Sequence, residues 1–487
     1  MRNKLTLPAL ALLFSAIGAF AQQPQLQYYR GWDKEAINIF EPSKKGEQPE
    51  YTGFKIRIGG AFTQDFQRYK SQNAAFYVPT SANNPENRNF LYGSIKAEDS
   101  TSSVLSGFNL AMANLNFDMQ IGDGIRVCLE NYMSSRHHLE FWVKGGYIQI
   151  DKLPMFNNPQ WFTDYVRVKI GHFQPNFGDM QFRRSDGGNT MFNPFVENGI
   201  LDAFTTEIGG EVYVFPVDGF MVMGGMTSGF INGNILKTPD AVNSFGVVPT
   251  KRSPSLFGKV AYDKQLSDDL RLRLSASVYN NPNSSRNTLF AGDRTGSRYF
   301  GIMEPAKING IPISIGTTPS NPATQSGPNF TSGRLDPGFA NRITAISISP
   351  FIKFKGIEFF GSYDIANGAV YGDTLRGEWQ NRSFNQLIAE LVYRFLPNEQ
   401  MYVGGRYIKV TGQPNGVRYS ADDTGKTPGS QAEVGIDRLA FVAGWFPTKN
   451  LLLKVEYMIQ NYTDFPKRDY RHEGKVSGFM IEAVIGF

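Results

Sequence analysis

LRLRLSASVYN, residues 270–280, alternates without a slip: Arg271, Arg273, Ser275 and Ser277 are polar, and Leu270, Leu272, Leu274 and Ala276 between them are apolar. Successive side chains on a strand point to opposite faces, so this segment offers one face to oil and the other to water. YVRVKIGHFQ (165–174) and LLLKVEYMIQNY (451–462) repeat the pattern, which dominates the chain after residue 53. A soluble sandwich would alternate in the same way, so the connections between strands must decide.

Those connections alternate in length. Tight turns fall at GDG after Ile121, PVDG (216–219), SDD (267–269), Gly356, LPNE (396–399) and PTKN (447–450). They are rich in Gly, Asn, Asp and Pro, which supply turn dihedrals. Between them run long polar stretches at about 71–106, 175–203, 231–252, 282–341, 413–431 and 464–474. Soluble domains rarely carry so many long loops, whereas transmembrane barrels pair short periplasmic turns with long external loops. Strands are expected to begin near Phe54, Gly107, Ile125, Leu139, Tyr165, Phe204, Phe220, Leu256, Leu270, Arg342, Ile357, Ser383, Met401, Val434, Leu451 and Val476. The sequence therefore predicts an all-β fold, a 16-stranded antiparallel transmembrane β-barrel over 54–487. Two connections break the rhythm: the external loop near Ser134–His138 is short, and the inner LPMFNNPQWFTD (153–164) is long.

Composition narrows the alternatives. Of 487 residues 41% are hydrophobic and 14% aromatic, too many aromatics for a disordered coil. Outside the first 21 residues no apolar run approaches the roughly 18–20 residues of a membrane helix. Cys128 is the only cysteine, so no disulfide scaffold is available. A net charge of +5 is too slight to imply nucleic acid. Arg2 and Lys4 precede LPALALLFSAIGAF and the sequence Ala19-Phe20-Ala21, the basic, apolar, small-x-small order of a signal peptide over 1–21, with cleavage expected before Gln22. Residues 22–53 are then an N-terminal periplasmic segment.

The last nine residues, FMIEAVIGF, place Phe479, Ile481, Ala483, Ile485 and Phe487 on one face and end on an aromatic. This strand, YVRVKIGHFQPNFG (165–178) and the count of strands together resemble an outer-membrane porin of the phosphate-selective porin O/P-like group. The stretch YYRGWDKEAINIFEPSKK (28–45) looks like the N-terminal segment of such proteins from Bacteroidetes-type bacteria. The resemblance implies a homotrimer in the outer-membrane lipid of a Gram-negative bacterium. It also implies a terminal strand, ending at Phe487, that is read by the β-barrel assembly machinery.

Parity assigns the lumen. Lys55, Arg57, Arg126, Arg167, Lys169, Arg271 and Arg273 share the polar face soon after an inner turn, and Asp118, Glu211 and Asp263 descend to comparable depth. Charges at the bilayer midplane would cost about 2–4 kcal/mol on the lipid face, so they belong inside. A ring of Arg and Lys favours anions. The expected function is passive diffusion of small hydrophilic solutes with a mild preference for anions, phosphate among them. The loop 175–203 is the constriction candidate: Arg183 and Arg184 beside Asp186 can hold phosphate or carboxylate in bidentate fashion, although Asp179, Asp186, Glu197 and Asp202 outnumber them. The loop 282–341, with Arg286, Arg294, Arg298, Lys307 and Arg334 against Asp293, Glu304 and Asp336, is mildly basic and long enough to cover the mouth. The competing reading is a substrate-specific transporter with ligand-binding loops or an N-terminal plug, and the position of 22–53 distinguishes the two. The histidines 137, 138, 172 and 472 show no metal-ligand spacing, and no nucleophile motif stands in a supporting context, so neither cofactor, metal nor enzyme is expected.

Overall fold

The computed structural model describes residues 23–75, 102–135, 138–229, 241–243, 246–248, 253–293, 295–304, 331–375 and 378–487. Residues 1–21 (expected to be a signal peptide), His137, Arg294, Lys307 and most of the loops 71–106 and 231–252 lie outside the described residues.

Sixteen strands form one closed antiparallel barrel, each paired with its neighbours in the chain. They are β1 (Lys55–Gln72), β2 (Ser102–Gly122), β3 (Ile125–Ser134), β4 (His138–Ile150), β5 (Val166–Phe173), β6 (Glu207–Val214), β7 (Phe220–Thr227) and β8 (Ser255–Gln265). The second half comprises β9 (Leu270–Asn281), β10 (Arg342–Phe354), β11 (Ile357–Ala369), β12 (Arg382–Phe395), β13 (Met401–Gly412), β14 (Val434–Thr448), β15 (Leu451–Thr463) and β16 (Lys475–Gly486). Antiparallel pairing of β1 with β16, from Ala61 opposite Gly486 to Gln72 opposite Lys475, closes the ring. Closure leaves no edge strand in the barrel, so its backbone groups pair laterally, the way strands can cross hydrocarbon.

The sixteen expected strands are the sixteen observed. Their starts agree within three residues except at β2, which begins at Ser102 rather than near Gly107. β6 starts three residues late because the Phe204 N–H donates to the Leu289 carbonyl at 2.6 Å instead of joining the ladder. The long inner connection holds a 3-10 turn at Pro154–Phe156 and a one-and-a-half-turn helix, Gln160–Tyr165, which consumes the residues between β4 and β5.

Outward faces are apolar: Ile56, Ile58, Ile170, Leu274, Leu391 and Val455 are each at least 40% exposed. In β16 the outward set includes Ile481 and Ile485, while Glu482 and Val484 are buried inside. Phe66 and Phe479 meet across the seam with ring centroids 6.3 Å apart. The exterior is a surface for acyl chains. Leu274→Arg, on the outer face of β9, is therefore expected to destabilise the folded barrel by about 2–4 kcal/mol, measured by urea titration of folding in lipid vesicles. An unchanged midpoint would show that this face does not meet lipid.

Candidate functional site

The lumen is occupied by three segments. After Phe173 ends β5, residues 174–206 turn inward through short 3-10 turns at Met180–Arg183 and Ser185–Gly187. Every residue from 190 to 202 is buried. Gly188 has φ +85° where the loop meets the wall, and a Cβ there would stand 3.0 Å from the Asn114 Cβ, so only glycine suits this approach. Residues 282–293, 295–304 and 331–341 of the long loop after β9 also enter the lumen. Arg298 lies between the Asp65 and Glu482 carboxylates at 3.7 and 3.4 Å, and the Arg334 Nη1 lies 2.9 Å from both Asp186 and Asp202, with Glu197 beside it.

The third segment is the N-terminal one. Residues 23–50 do not trail away as a tail but form a strap across the short-turn end of the lumen. The Lys34 N–H donates to the Lys449 carbonyl at 2.9 Å in the β14–β15 turn. Asn38 accepts from Arg183 at 2.9 Å and donates to Glu358 at 2.6 Å. Phe40 packs on Phe182 and Phe351, each 5.6 Å between centroids. Glu41 pairs with Lys259 and Arg273 at 2.9 and 2.8 Å, and Lys44 with Asp151 at 3.3 Å.

Most of the wall cations predicted from parity meet carboxylates. Arg126 pairs with Asp118, Arg167 with Asp151 at 2.8 Å, Lys169 with Glu211 at 3.8 Å, and Arg271 with Asp263 at 2.7 Å. Arg273 is bidentate to Asp179 at 2.8 and 2.9 Å. Arg57 instead stacks over Tyr29 at 5.1 Å. The expected cation ring is thus largely neutralised, because side chains buried this deeply need a counter-charge. Arg183 and Arg184 are 3% and 1% exposed. Arg183 pairs with Glu390 at 3.0 Å, and Arg184 with Asp186 and Asp202 at 2.8 Å and Asp293 at 3.0 Å. Neither guanidinium faces an open aperture, and Asp186 is a structural counter-ion.

Between the β2–β6 wall and this filling lies a chamber of about 210 Å³. Its lining carries five cations, Arg30, Arg126, Lys144, Arg167 and Lys169, against three carboxylates, Glu41, Asp118 and Glu130, with Tyr29, Trp32, Phe192 and Tyr147 among its rings. Arg30 bonds Asn189 at 3.1 Å and the Phe182 carbonyl at 2.9 Å and stacks 4.2 Å from the Phe192 centroid. Burial first, then nearby Arg183, disfavours its charge, and Glu41 only partly offsets them. Arg30, Lys144 and Glu130 were not among the residues predicted. Lys144 and Glu130 sit on strands whose alternation is interrupted by a bulge at Glu130/Asn131, which breaks parity, and Arg30 lies in the strap. Its signal was available: a stretch with Tyr28, Tyr29, Trp32 and Phe40 is too aromatic for a solvated tail.

No family model matches the chain, and no curated protein matches it. Among solved structures, an anion-selective porin from Comamonas acidovorans aligns with 89% of this chain and 100% of its own at 9% identity and a TM-score of 0.45. The outer membrane channel DcaP of Acinetobacter baumannii aligns with 91% of this chain and 100% of its own at 11% identity, TM-score 0.45. OprB of Pseudomonas putida aligns with 88% and 94% at 11% identity, TM-score 0.45. Likenesses this distant assign no solute, and the fold rests on the strand pairing itself. A closed sixteen-stranded antiparallel barrel with an apolar exterior is a protein of the Gram-negative outer membrane.

Two measurements probe the filling. Arg334→Met leaves Asp186, Glu197 and Asp202 short of their shared partner and is expected to destabilise the protein by about 3–5 kcal/mol, read from urea unfolding in vesicles; a loss below about 1 kcal/mol would mean the loop is not held by this charge. Burial alone would raise the Glu41 carboxyl, but Arg273 and Lys259 outweigh it and hold it at about 2, below its ordinary 4.5. A lowered carboxyl stabilises fully above 4.5 and loses that contribution as pH falls through about 2. Pepsin cleavage within 38–45 should therefore rise across that window in the wild type, and Glu41→Gln should abolish the step; a step that persists in the variant assigns it to another group.

Proposed function

We propose that this protein is an outer-membrane channel that passes small anionic solutes selectively through a narrow basic chamber, and is not an open general diffusion pore. The observation that carries this reading is the chamber itself: about 210 Å³, with five lining cations against three carboxylates. Its size supports selectivity; Arg126, Lys144, Arg167 and Lys169 are each paired with a carboxylate, so the support for anions comes from Arg30. Arg30 has ring and amide partners but no carboxylate within ion-pair distance among the described residues, and it adds to the attraction.

The plugged-transporter alternative has its own support in the strap at the short-turn end. The two readings meet in a channel that is selective because its lumen is occupied. Phosphate selectivity has no dedicated feature behind it, since Arg183 and Arg184 are both committed to internal carboxylates. The homotrimer and an assembly signal at Phe487 belong to the same proposal. The second is supported by Phe487 standing outward, 37% exposed, with its N–H donating to the Gly60 carbonyl at 3.2 Å.

Planar-bilayer recording of the purified protein in a salt gradient tests the reading. The wild type should give small stepwise conductances with an anion-selective reversal potential, and Arg30→Glu combined with Lys169→Glu should move that potential towards the cation side. Folded protein that never conducts, or a wild-type cation preference, would overturn it.

A further inference from the structure

A second cavity, of about 450 Å³, lies at the short-turn end beside β6 to β9, lined among others by Lys44, Phe215, Arg271 and Arg273. Phe40 and Glu41 line both this cavity and the basic chamber, so the strap is the partition between them. In that partition the Glu41 carboxylate is grasped by three donors. Lys259 Nζ lies 2.9 Å from Oε1, Asn176 Nδ2 donates to the same oxygen at 3.0 Å, and Arg273 Nη2 lies 2.8 Å from Oε2. Lys259 and Arg273 belong to the wall, and their side chains are 0% and 2% exposed.

The local charges balance only with Glu41 in place: Arg271, Arg273 and Lys259 oppose Asp179, Asp263 and Glu41. Asp263 is fixed in β8 and Asp179 in the folded inward loop, whereas Glu41 sits on a strap that joins no strand of the barrel. Were Glu41 to swing aside, one buried positive charge would stand in excess, so its departure requires another anion to take its place.

We infer that Lys259, Arg273 and Asn176 form a carboxylate-binding site that the chain's own Glu41 fills at rest, and that a small carboxylate solute exchanges with Glu41 to pass the partition. This rests on the channel reading and names its solute class. Two donors on one oxygen and a guanidinium on the other suit a planar two-oxygen group. Phe40, whose ring lies 4.1 Å from the Arg273 guanidinium, and Phe182, 5.0 Å from Lys259 Nζ, offer an apolar rim to the body of such a molecule.

The test is equilibrium dialysis of labelled benzoate against purified full-length protein in detergent, which needs no conduction. Glu41 competes with added ligand as a tethered carboxylate, so Glu41→Gln should bind benzoate about tenfold or more tightly than wild type. Glu41→Gln combined with Arg273→Gln, which restores charge balance, should lose that gain. Equal affinity in wild type and Glu41→Gln, or retention of the gain in the double variant, overturns the site. Displacement of benzoate by inorganic phosphate at lower concentration than by acetate overturns the carboxylate assignment. If Glu41→Gln does not assemble, Glu41→Asp, drawn back by one methylene, should show a smaller gain in the same assay, and no gain counts against the site. Binding without conductance would sink the channel reading and leave the site standing; conductance without binding would do the reverse.

Discussion

A charge withdrawn from water must find a counter-charge or a set of dipoles, and the interior of this barrel is organised by that demand. Sixteen strands with alternating polarity put many ionic side chains into one enclosed space. Too little water reaches them for the wall to be left unpaired, because an ion moved from water to a low-dielectric interior loses several kcal/mol even after relaxation. The inward segments supply what is missing. Arg406 pairs with Glu390 on the neighbouring strand at 2.8 Å and also donates to the carbonyl of Glu197 in the inward loop. Lys454 donates to the carbonyls of Thr190, Asn193 and Phe195 at 3.1 to 3.2 Å. Wall and filling are therefore one electrostatic unit, and removing a loop strips partners from several strands at once.

The seam shows how far this coupling reaches. Asp65 of β1 and Glu482 of β16 face each other directly where the barrel closes, and like charges opposite one another on paired strands repel. Closure is tolerated because Arg298 arrives from the long loop between β9 and β10 and Lys454 from β15. The backbone ladder that seals the membrane wall thus depends on a guanidinium from a distant loop. The same guanidinium donates to Thr63 at 2.8 Å and Thr190 at 2.7 Å, tying the seam to the other inward loop.

What could be read from the chain divides along the range of the forces involved. Alternation, turn chemistry and the apolar outer face are local consequences of the strand period and of contact with lipid, and they located all sixteen strands. Partnership is not local: Arg183 and Glu390 stand 207 residues apart, and Arg334 and Glu197 stand 137 apart. Parity says that a side chain points inward; it does not say whether water or a carboxylate awaits it. For that reason the extent of pairing in the expected, partly neutralised cation ring was not legible, and the eyelet candidates Arg183 and Arg184 are buried ties. The strap escaped because its contacts are spread over β2, β8, β9, β11 and the turns, with no period of its own to mark where it goes.

Pairing also changes what selectivity means. A wide pore with free cations attracts anions by its field, and screening by salt limits how far that field discriminates. A lumen whose cations are already satisfied has little field to spare, so an entering solute must outcompete an internal partner. Discrimination then rests on the difference between two affinities, that of the solute and that of the resident carboxylate or carbonyl. A neutral solute has no means of displacing a carboxylate from Lys259 and Arg273 without leaving a bare buried charge behind, and a cation even less. In the proposed channel, the internal salt bridges that close the lumen are thus themselves the filter, which is why a barrel of this width need not be an indiscriminate hole.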